Sequence, residues 1–201
     1  MAGGLGSAVH LAQVLVAGRV KRGSVVVDAT AGKGNDTLFL ARLVGRHGKV
    51  YAFDIQAAAL AGTLSLLERH GLAGRVELIL AGHERLPEFV REPVNAVMYN
   101  LGYLPGGDRS IVTRPDTTLA SLEAALKMLR PGGRISLVCY PGHPGGRAEY
   151  EALESFSSSL DSLCYRVIRT SFINRAAAAP VLIAIEKAGG YIENEAAAQN
   201  P

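Results

Sequence analysis

The sequence predicts an α/β fold: a mostly parallel sheet with helices on both faces and an antiparallel strand at the C-terminal end. Three observations predict it. Short apolar runs bounded by Gly, Pro, Asn and Asp alternate with longer stretches of helical character. Those runs are nearly continuous in Val, Ile, Leu and Ala, as in strands buried on both faces. The first run ends in a turn with glycines at 32 and 34 that opens a helix, a strand–loop–helix unit suited to holding a ligand.

Taken in order, residues 7–17 read as a leading helix with Ser7 as its N-cap. Residues 24–28 form the first strand, and 36–43 a helix opened by the polar pair Asn35 and Asp36. Residues 49–54 are the next strand. The helix at 57–70 is closed by Gly71. Residues 75–80 and 94–99 are the third and fourth strands. A helix at 116–129 is stopped by Pro131, Gly132 and Gly133, and the fifth strand covers 134–140. A helix follows at 146–160, then strands at 165–172 and 180–187. Only 173–179 separates those last two strands, too few residues for a crossover helix, so they are expected to pair antiparallel.

The chain has 201 residues, enough for one domain with a sizeable core. That domain is expected over 1–188, with a small polar flexible tail at 189–201. Twenty-one Lys and Arg against 18 Asp and Glu give a net charge of +3, which permits an RNA partner without demanding one. Cys139 and Cys164 lie in apolar, strand-like runs without a CxxC pair. They read as buried small hydrophobes, with neither disulfide nor zinc site expected. The N-terminus does not read as a signal peptide, and no apolar run reaches the roughly 20 residues that span a bilayer. The expected setting is cytoplasmic, with no membrane and no metal.

The turn after the first strand narrows the ligand. A dinucleotide fingerprint needs Gly at 37, where Thr37 stands, and the phosphate loop GxxxxGK[ST] is absent. Asp28, just before the glycines, suits a cationic ligand and would repel a phosphate. S-adenosylmethionine (SAM) carries an ammonium and a sulfonium, so SAM is the expected cofactor. Asp54 ends the second strand at the spacing from which an acid accepts hydrogen bonds from ribose hydroxyls. His83, in the turn after the third strand, is placed to pack on adenine or bond its edge. The cofactor candidates are Asp28, Thr30, Gly32, Gly34, Asn35, Asp36, Thr37, Asp54, Gln56 and His83.

The fourth strand runs into Asn100, Leu101, Gly102 and Tyr103. Asn-x-x-Tyr has the spacing of the Asn/Asp-Pro-Pro-Tyr motif of amine methyltransferases. Hydrogen bonds to the Asn100 side-chain oxygen and the Leu101 carbonyl would aim an amine lone pair. The Tyr103 ring would stack on a flat base or sit near the developing ammonium. Asn100, Leu101 and Tyr103 are the catalytic candidates. Leu104, Pro105, Asp108 and Thr113 of the same loop, with His143, Glu149 and Asn174, are the substrate-binding candidates. The turn at 172–175 is a candidate base contact, which plain hairpin chemistry explains equally well.

Asp28 to Gly34, Phe53 to Gln56, Asn100 to Pro105, Tyr140 to Gly146, Phe172 to Asn174 and Ala184 to Lys187 together resemble the MnmM (YtqB-type) methyltransferases, many of which carry the label putative rRNA methylase. The resemblance spans roughly Ala8 to Lys187. It implies a Rossmann-like class I SAM-dependent fold. It further implies N-methylation of the aminomethyl group on a modified wobble uridine, with the anticodon region of tRNA as partner. Lys33 and Asn35 stand where the family is associated with Asn and His, and the 82–84 turn has one His where two are common. The residues fix no oligomeric state, and a homodimer is the assembly carried forward. The readings weighed against this one are a SAM enzyme acting on rRNA or a small amine, an NAD-dependent oxidoreductase, and a non-catalytic RNA-binding module. Thr37 and Asp28 count against the oxidoreductase.

Overall fold

The computed structural model describes residues 6–102, 106 and 112–189. Among these residues, seven strands form one sheet: β1 (Val25–Asp28), β2 (Lys49–Asp54), β3 (Val76–Leu80), β4 (Val94–Asn100), β5 (Leu129–Cys139), β6 (Tyr165–Thr170) and β7 (Val181–Lys187). Their order is β3-β2-β1-β4-β5-β7-β6. The first five strands run parallel. β7 is antiparallel to both neighbours and lies between β5 and β6. The expected antiparallel pairing of the last two strands is present, for the expected reason: the short link from β6 to β7 can only reverse the chain.

Side chains alternate across the sheet. Val26, Val50, Ala96 and Met98 pack on one face against α1 (Ala8–Ala17), α2 (Asn35–Val44) and α3 (Ala57–Arg69), meeting Ala12, Val16, Leu40 and Leu67. Val27, Phe53, Val97 and Tyr99 point to the other face. There they meet Leu86 of α4 (Leu86–Phe89), Leu122 of α5 (Pro115–Met128) and Leu153 of α6 (Gly146–Ser158). Each fully buried Leu stabilises this three-layer arrangement by about 1.5–3 kcal/mol.

Local signals explain most boundaries. Ser7 caps α1, its hydroxyl oxygen accepting the His10 N–H at 3.2 Å. Gly71, at φ +65°, takes the left-handed position just past α3. α5 begins at Pro115, whose fixed φ suits a first helical position. One boundary differs from the reading of the sequence. The chain passes from Met128 straight into β5, and Pro131-Gly132-Gly133 is an irregularity inside the strand. Leu129 pairs with Val94, then the register slips so that Arg134 pairs with Ala96. Pro131 brings no N–H to the ladder and Gly132 takes φ +73°, so this segment bulges away from β4 and reads as a stop.

Cys139 is buried as expected, but Cys164 is exposed. It lies in the turn before β6, an edge strand whose run looks apolar without being covered on both sides. Among the described residues no helix is long and apolar enough to cross a membrane. Of the tail expected at 189–201, only Gly189 is among them.

β1 lies between β2 and β4, so the loops leaving β1 and β4 part in opposite directions. Such a switch in strand order opens a crevice at the carboxyl ends of the strands. α1 stands behind one wall of it, where its Gln13 reaches Asp36. Arg134 fastens that helix by donating to the Leu15 carbonyl at 2.6 Å and to Glu186 at 2.7 Å.

Candidate active site

A cleft of about 650 Å³ occupies the crevice, within the range of small-ligand sites. Its first wall is the loop after β1. The buried Asp28 carboxyl accepts the Thr30 N–H at 3.1 Å and the Thr37 hydroxyl at 2.6 Å, tying the end of β1 to the first turn of α2. Gly34 stands at φ +79°, and a Cβ there would lie 2.8 Å from Thr63 Oγ1. Only glycine lets the loop lie this close to α3. The Thr63 hydroxyl donates to the Gly32 carbonyl at 3.1 Å.

Asp54, at the end of β2, clasps two loops. One carboxylate oxygen accepts the Gly32 N–H and the other the Gln56 N–H, each at 2.8 Å. A carboxylate oxygen has two lone pairs, so acceptor capacity remains on the cleft side. Ile55, next in sequence, is 58% exposed and lines the same wall.

Asn100 ends β4. Its backbone N–H donates to Thr30 Oγ1 at 2.7 Å, and its amide nitrogen faces Asp36 Oδ2 at 3.5 Å. The other Asp36 oxygen accepts from Gln13 Nε2 at 2.7 Å. A carboxylate only accepts, so this contact turns the Asn100 nitrogen toward Asp36 and leaves its oxygen for a donor. Burial holds both Asp28 and Asp36 above the ordinary carboxylate range. The nearby Asp36 charge raises Asp28 further, against the bonds from Thr37 and Thr30. The bonds from Gln13 and Asn100 pull Asp36 the other way. Two acids withdrawn from water favour a cation beside them.

His83 is buried rather than in an open turn. Its Nδ1 lies 3.3 Å from the Ala29 carbonyl and its Nε2 3.4 Å from the Thr118 hydroxyl, with Tyr99 edge-on at 5.9 Å. Burial lowers its pKa below the ordinary histidine value. Thr118 donates at 2.7 Å to Glu149, whose other oxygen accepts the Thr113 hydroxyl at 2.8 Å. Thr113 Oγ1 in turn accepts the Gly102 N–H at 2.8 Å. Burial raises the Glu149 pKa, opposed by the bonds from the two threonines and by His143.

Thr30, Gly32, Asn35, Asp36, Asp54, Gln56, His83, Asn100, Leu101, Thr113 and His143 therefore share the cleft wall. Asp28, Gly34, Thr37 and Glu149 stand behind it as supports. Asn174 is exposed on the β6–β7 link, off the wall. Tyr103, Leu104, Pro105 and Asp108 lie outside the described residues. Gln13 and Ile55 were not singled out from the sequence. An apolar residue directly after a strand-ending acid is a signal that could have found Ile55. Gln13 has none, because its partner is 23 residues away on another helix.

The Rossmann-like sheet with its antiparallel β7 and the crevice at its switch point are the arrangement of SAM-dependent methyltransferases, and comparison shows the chain to be one of them. Comparison with known proteins narrows the class. Residues 50–186 match the family model described as putative rRNA methylase, and the chain belongs to that family. It is 44% identical over 186 residues to the chloroplastic tRNA (mnm(5)s(2)U34)-methyltransferase of Arabidopsis thaliana, covering 88% of this chain and 68% of that protein. The solved structure of a putative rRNA-methylase from Clostridium thermocellum superposes with a TM-score of 0.89 at 44% identity, covering 92% of this chain and 99% of that one. A putative methyltransferase from Streptococcus mutans, solved in complex with SAH, gives a TM-score of 0.83 at 36% identity, with the same coverage of 92% and 99%. The resemblance carried by the sequence motifs stands.

Proposed function

We propose that the protein is a SAM-dependent N-methyltransferase that converts 5-aminomethyl-(2-thio)uridine to 5-methylaminomethyl-(2-thio)uridine at the wobble position of tRNA. The orientation of Asn100 carries this reading. With its nitrogen turned to Asp36, its side-chain oxygen is presented to a hydrogen-bond donor in the cleft. An amine is such a donor. N–H bonds to Asn100 Oδ1 and to the Leu101 carbonyl leave the amine lone pair directed along one line. The name of the plant relative, which specifies U34 of tRNA, supports the choice of substrate.

The cleft fits the cofactor on its own chemistry. Glycine is required at 34, and paired acids suit a cation where a phosphate would be repelled. Asp54 has lone pairs left for ribose hydroxyls, and Ile55, Gln56 and the His83 wall flank the place for adenine. Asp28 and Asp36 draw the positive end, while Thr30, Gly32, Asn35 and Thr37 shape the loop. SAM, when bound, supplies an electrophilic methyl group. Thr113 and His143 border the substrate side. Tyr103, Leu104, Pro105 and Asp108, which lie outside the described residues, are assigned to the substrate from the sequence, and so is Asn174, exposed on the β6–β7 link. On this reading residues 1–188 are one catalytic domain, working in the cytoplasm on the anticodon region of tRNA as a homodimer.

The test is methyl transfer from labelled SAM to bulk tRNA lacking the terminal methyl, followed by nucleoside analysis. Methylaminomethyl-uridine is the expected product. With ribosomal RNA offered in a parallel reaction, label there and none in tRNA would favour the second reading, which rests on the family description.

A further inference from the structure

We propose that the link between β6 and β7, residues 171–180, is a docking surface for the RNA strand that flanks the target nucleotide. The inference rests on the RNA-methylation reading and adds the place where the polymer is held. A second hollow of about 260 Å³ lies on this link, lined among others by Pro141, Tyr150, Arg169, Phe172 and Arg175. It shares a wall with the cleft. Gly142 and Ala178 line the cleft, and their chain neighbours Pro141, Ala177 and Ala179 line the hollow. The two segments touch there, since a Cβ on Gly142 would come 2.9 Å from the Ala178 carbonyl oxygen. A strand with one nucleotide in the cleft is thereby led into the hollow.

The chemistry of the hollow suits nucleotides. The Arg175 guanidinium lies over the Phe172 ring, 5.5 Å from its centroid. No carboxylate pairs with Arg175 among the described residues. Arg169 pairs with Glu154 at 2.6 Å, and among the described residues the lining of the hollow holds two guanidinium groups and no carboxylate. Ile173 stands 98% exposed at the tip. An aromatic ring under an unpaired guanidinium offers a base a plane to stack on and a phosphate a charged donor. The link is also fixed in shape, with Arg175 N–H donating to the Phe172 carbonyl at 3.0 Å and Ala179 N–H to Ala176 at 2.8 Å. A preformed surface next to the cleft loses little freedom on binding.

The 201-residue chain, with Arg175→Ala and Phe172→Ala made separately, tests this. Dissociation constants for tRNA lacking the methyl are measured beside SAM affinity and the wild-type methyl-transfer assay. Each variant is expected to weaken tRNA binding about tenfold, with SAM affinity unchanged. Arg175→Ala should also lower the salt dependence by about one phosphate contact. Arg175 is exposed, so its removal tests the surface even if loss of the Phe172 ring disturbs packing. Variant affinities within about twofold of wild type overturn the docking surface, and with it any preference for RNA over a protein partner there. If the variants bind as well as wild type while wild type methylates tRNA, the surface falls and the enzymatic reading stands. If the variants lose binding while wild type transfers no methyl to tRNA, the surface stands and the wobble-uridine reading falls.

Discussion

The two halves of the cleft are built differently. The half after β1 and β2 is closed on itself: Asp54 holds Gly32 and Gln56, Asp28 holds Thr30 and Thr37, and Thr63 holds the Gly32 carbonyl. The half after β4 and β5 is fastened at its roots, where Thr113 and Glu149 hold Gly102, and then gives way to exposed residues such as Arg114. Chemistry accounts for the contrast. A small cofactor has one shape, so a prebuilt cradle reduces the ordering cost of binding it. A polymer substrate arrives from outside and needs an open mouth, with precision only where the reacting amine sits. Asn100 stands on the seam, its backbone tied to Thr30 and its side chain turned to Asp36.

Two substitutions would break the comparison if they gave the same phenotype. Asn100→Ala removes the side-chain oxygen proposed to accept the amine and leaves the cradle. Turnover is expected to fall about a hundredfold or more, with SAM affinity nearly unchanged. Steady-state kinetics beside a SAM titration read both quantities, and turnover close to wild type removes Asn100 from the aiming role. Asp54→Ala acts on the other half. It removes two charge-assisted bonds as well as the proposed ribose acceptor, so SAM should bind at least roughly tenfold more weakly. Turnover at saturating SAM should be largely restored. Unchanged SAM affinity would mean the cradle is held by something other than Asp54.

The same contrast decides what the sequence reveals. Parallel strands buried on both faces leave continuous apolar runs, so the central strands were legible; the two C-terminal strands were legible as apolar runs separated by only 173–179, a link short enough to announce the reversed pairing. The cradle was legible because its constraints are local: an acid at a strand end, glycines in the next turn, a second acid at a fixed spacing. What escaped depends on groups far apart in the chain. Glu149 read as a pocket residue, yet its oxygens are taken by threonines 31 and 36 residues away. Gln13, on the leading helix, reaches Asp36. Pro131-Gly132-Gly133 carries a stop signal, and only the buried pairing of Leu129 with Val94 keeps the strand going past it.

Glu149 gives the next test. Glu149→Gln keeps size but places an amide where two threonine hydroxyls now donate. One of those hydroxyls would lose its acceptor or have to turn, a cost of about 1–3 kcal/mol for a buried group. Because Glu149 holds Thr113, which lines the cleft on the side proposed for the substrate, the expected result is a several-fold rise in KM for tRNA, within the roughly tenfold that about 1.4 kcal/mol represents. SAM affinity should stay at its wild-type value. A variant that loses SAM affinity instead would show that the two halves are mechanically coupled through His83, which joins Thr118 to the Ala29 carbonyl at the start of the cofactor loop.

The smallest effect is expected from pH, and it belongs to the cradle alone. Burial raises the Asp28 and Asp36 carboxyls in the unliganded protein. A carboxyl raised on folding contributes stability that is fully present below its unfolded value of about 3.9 and is lost as pH climbs through the raised value. Without cofactor, these two groups therefore make the protein less stable as pH rises out of the acid range. A cation beside them favours their ionised forms, so SAM binding should release protons and grow tighter over the same window. The rise in Tm caused by saturating SAM should be larger at about pH 8 than at about pH 5.5. SAH lacks the sulfonium charge, so its shift should change less. Equal pH responses for SAM and SAH would mean that the buried acids support the loop without sensing the methyl-bearing charge. Asp28 would then be a scaffold for Thr30 and Thr37 rather than an electrostatic partner of the cofactor.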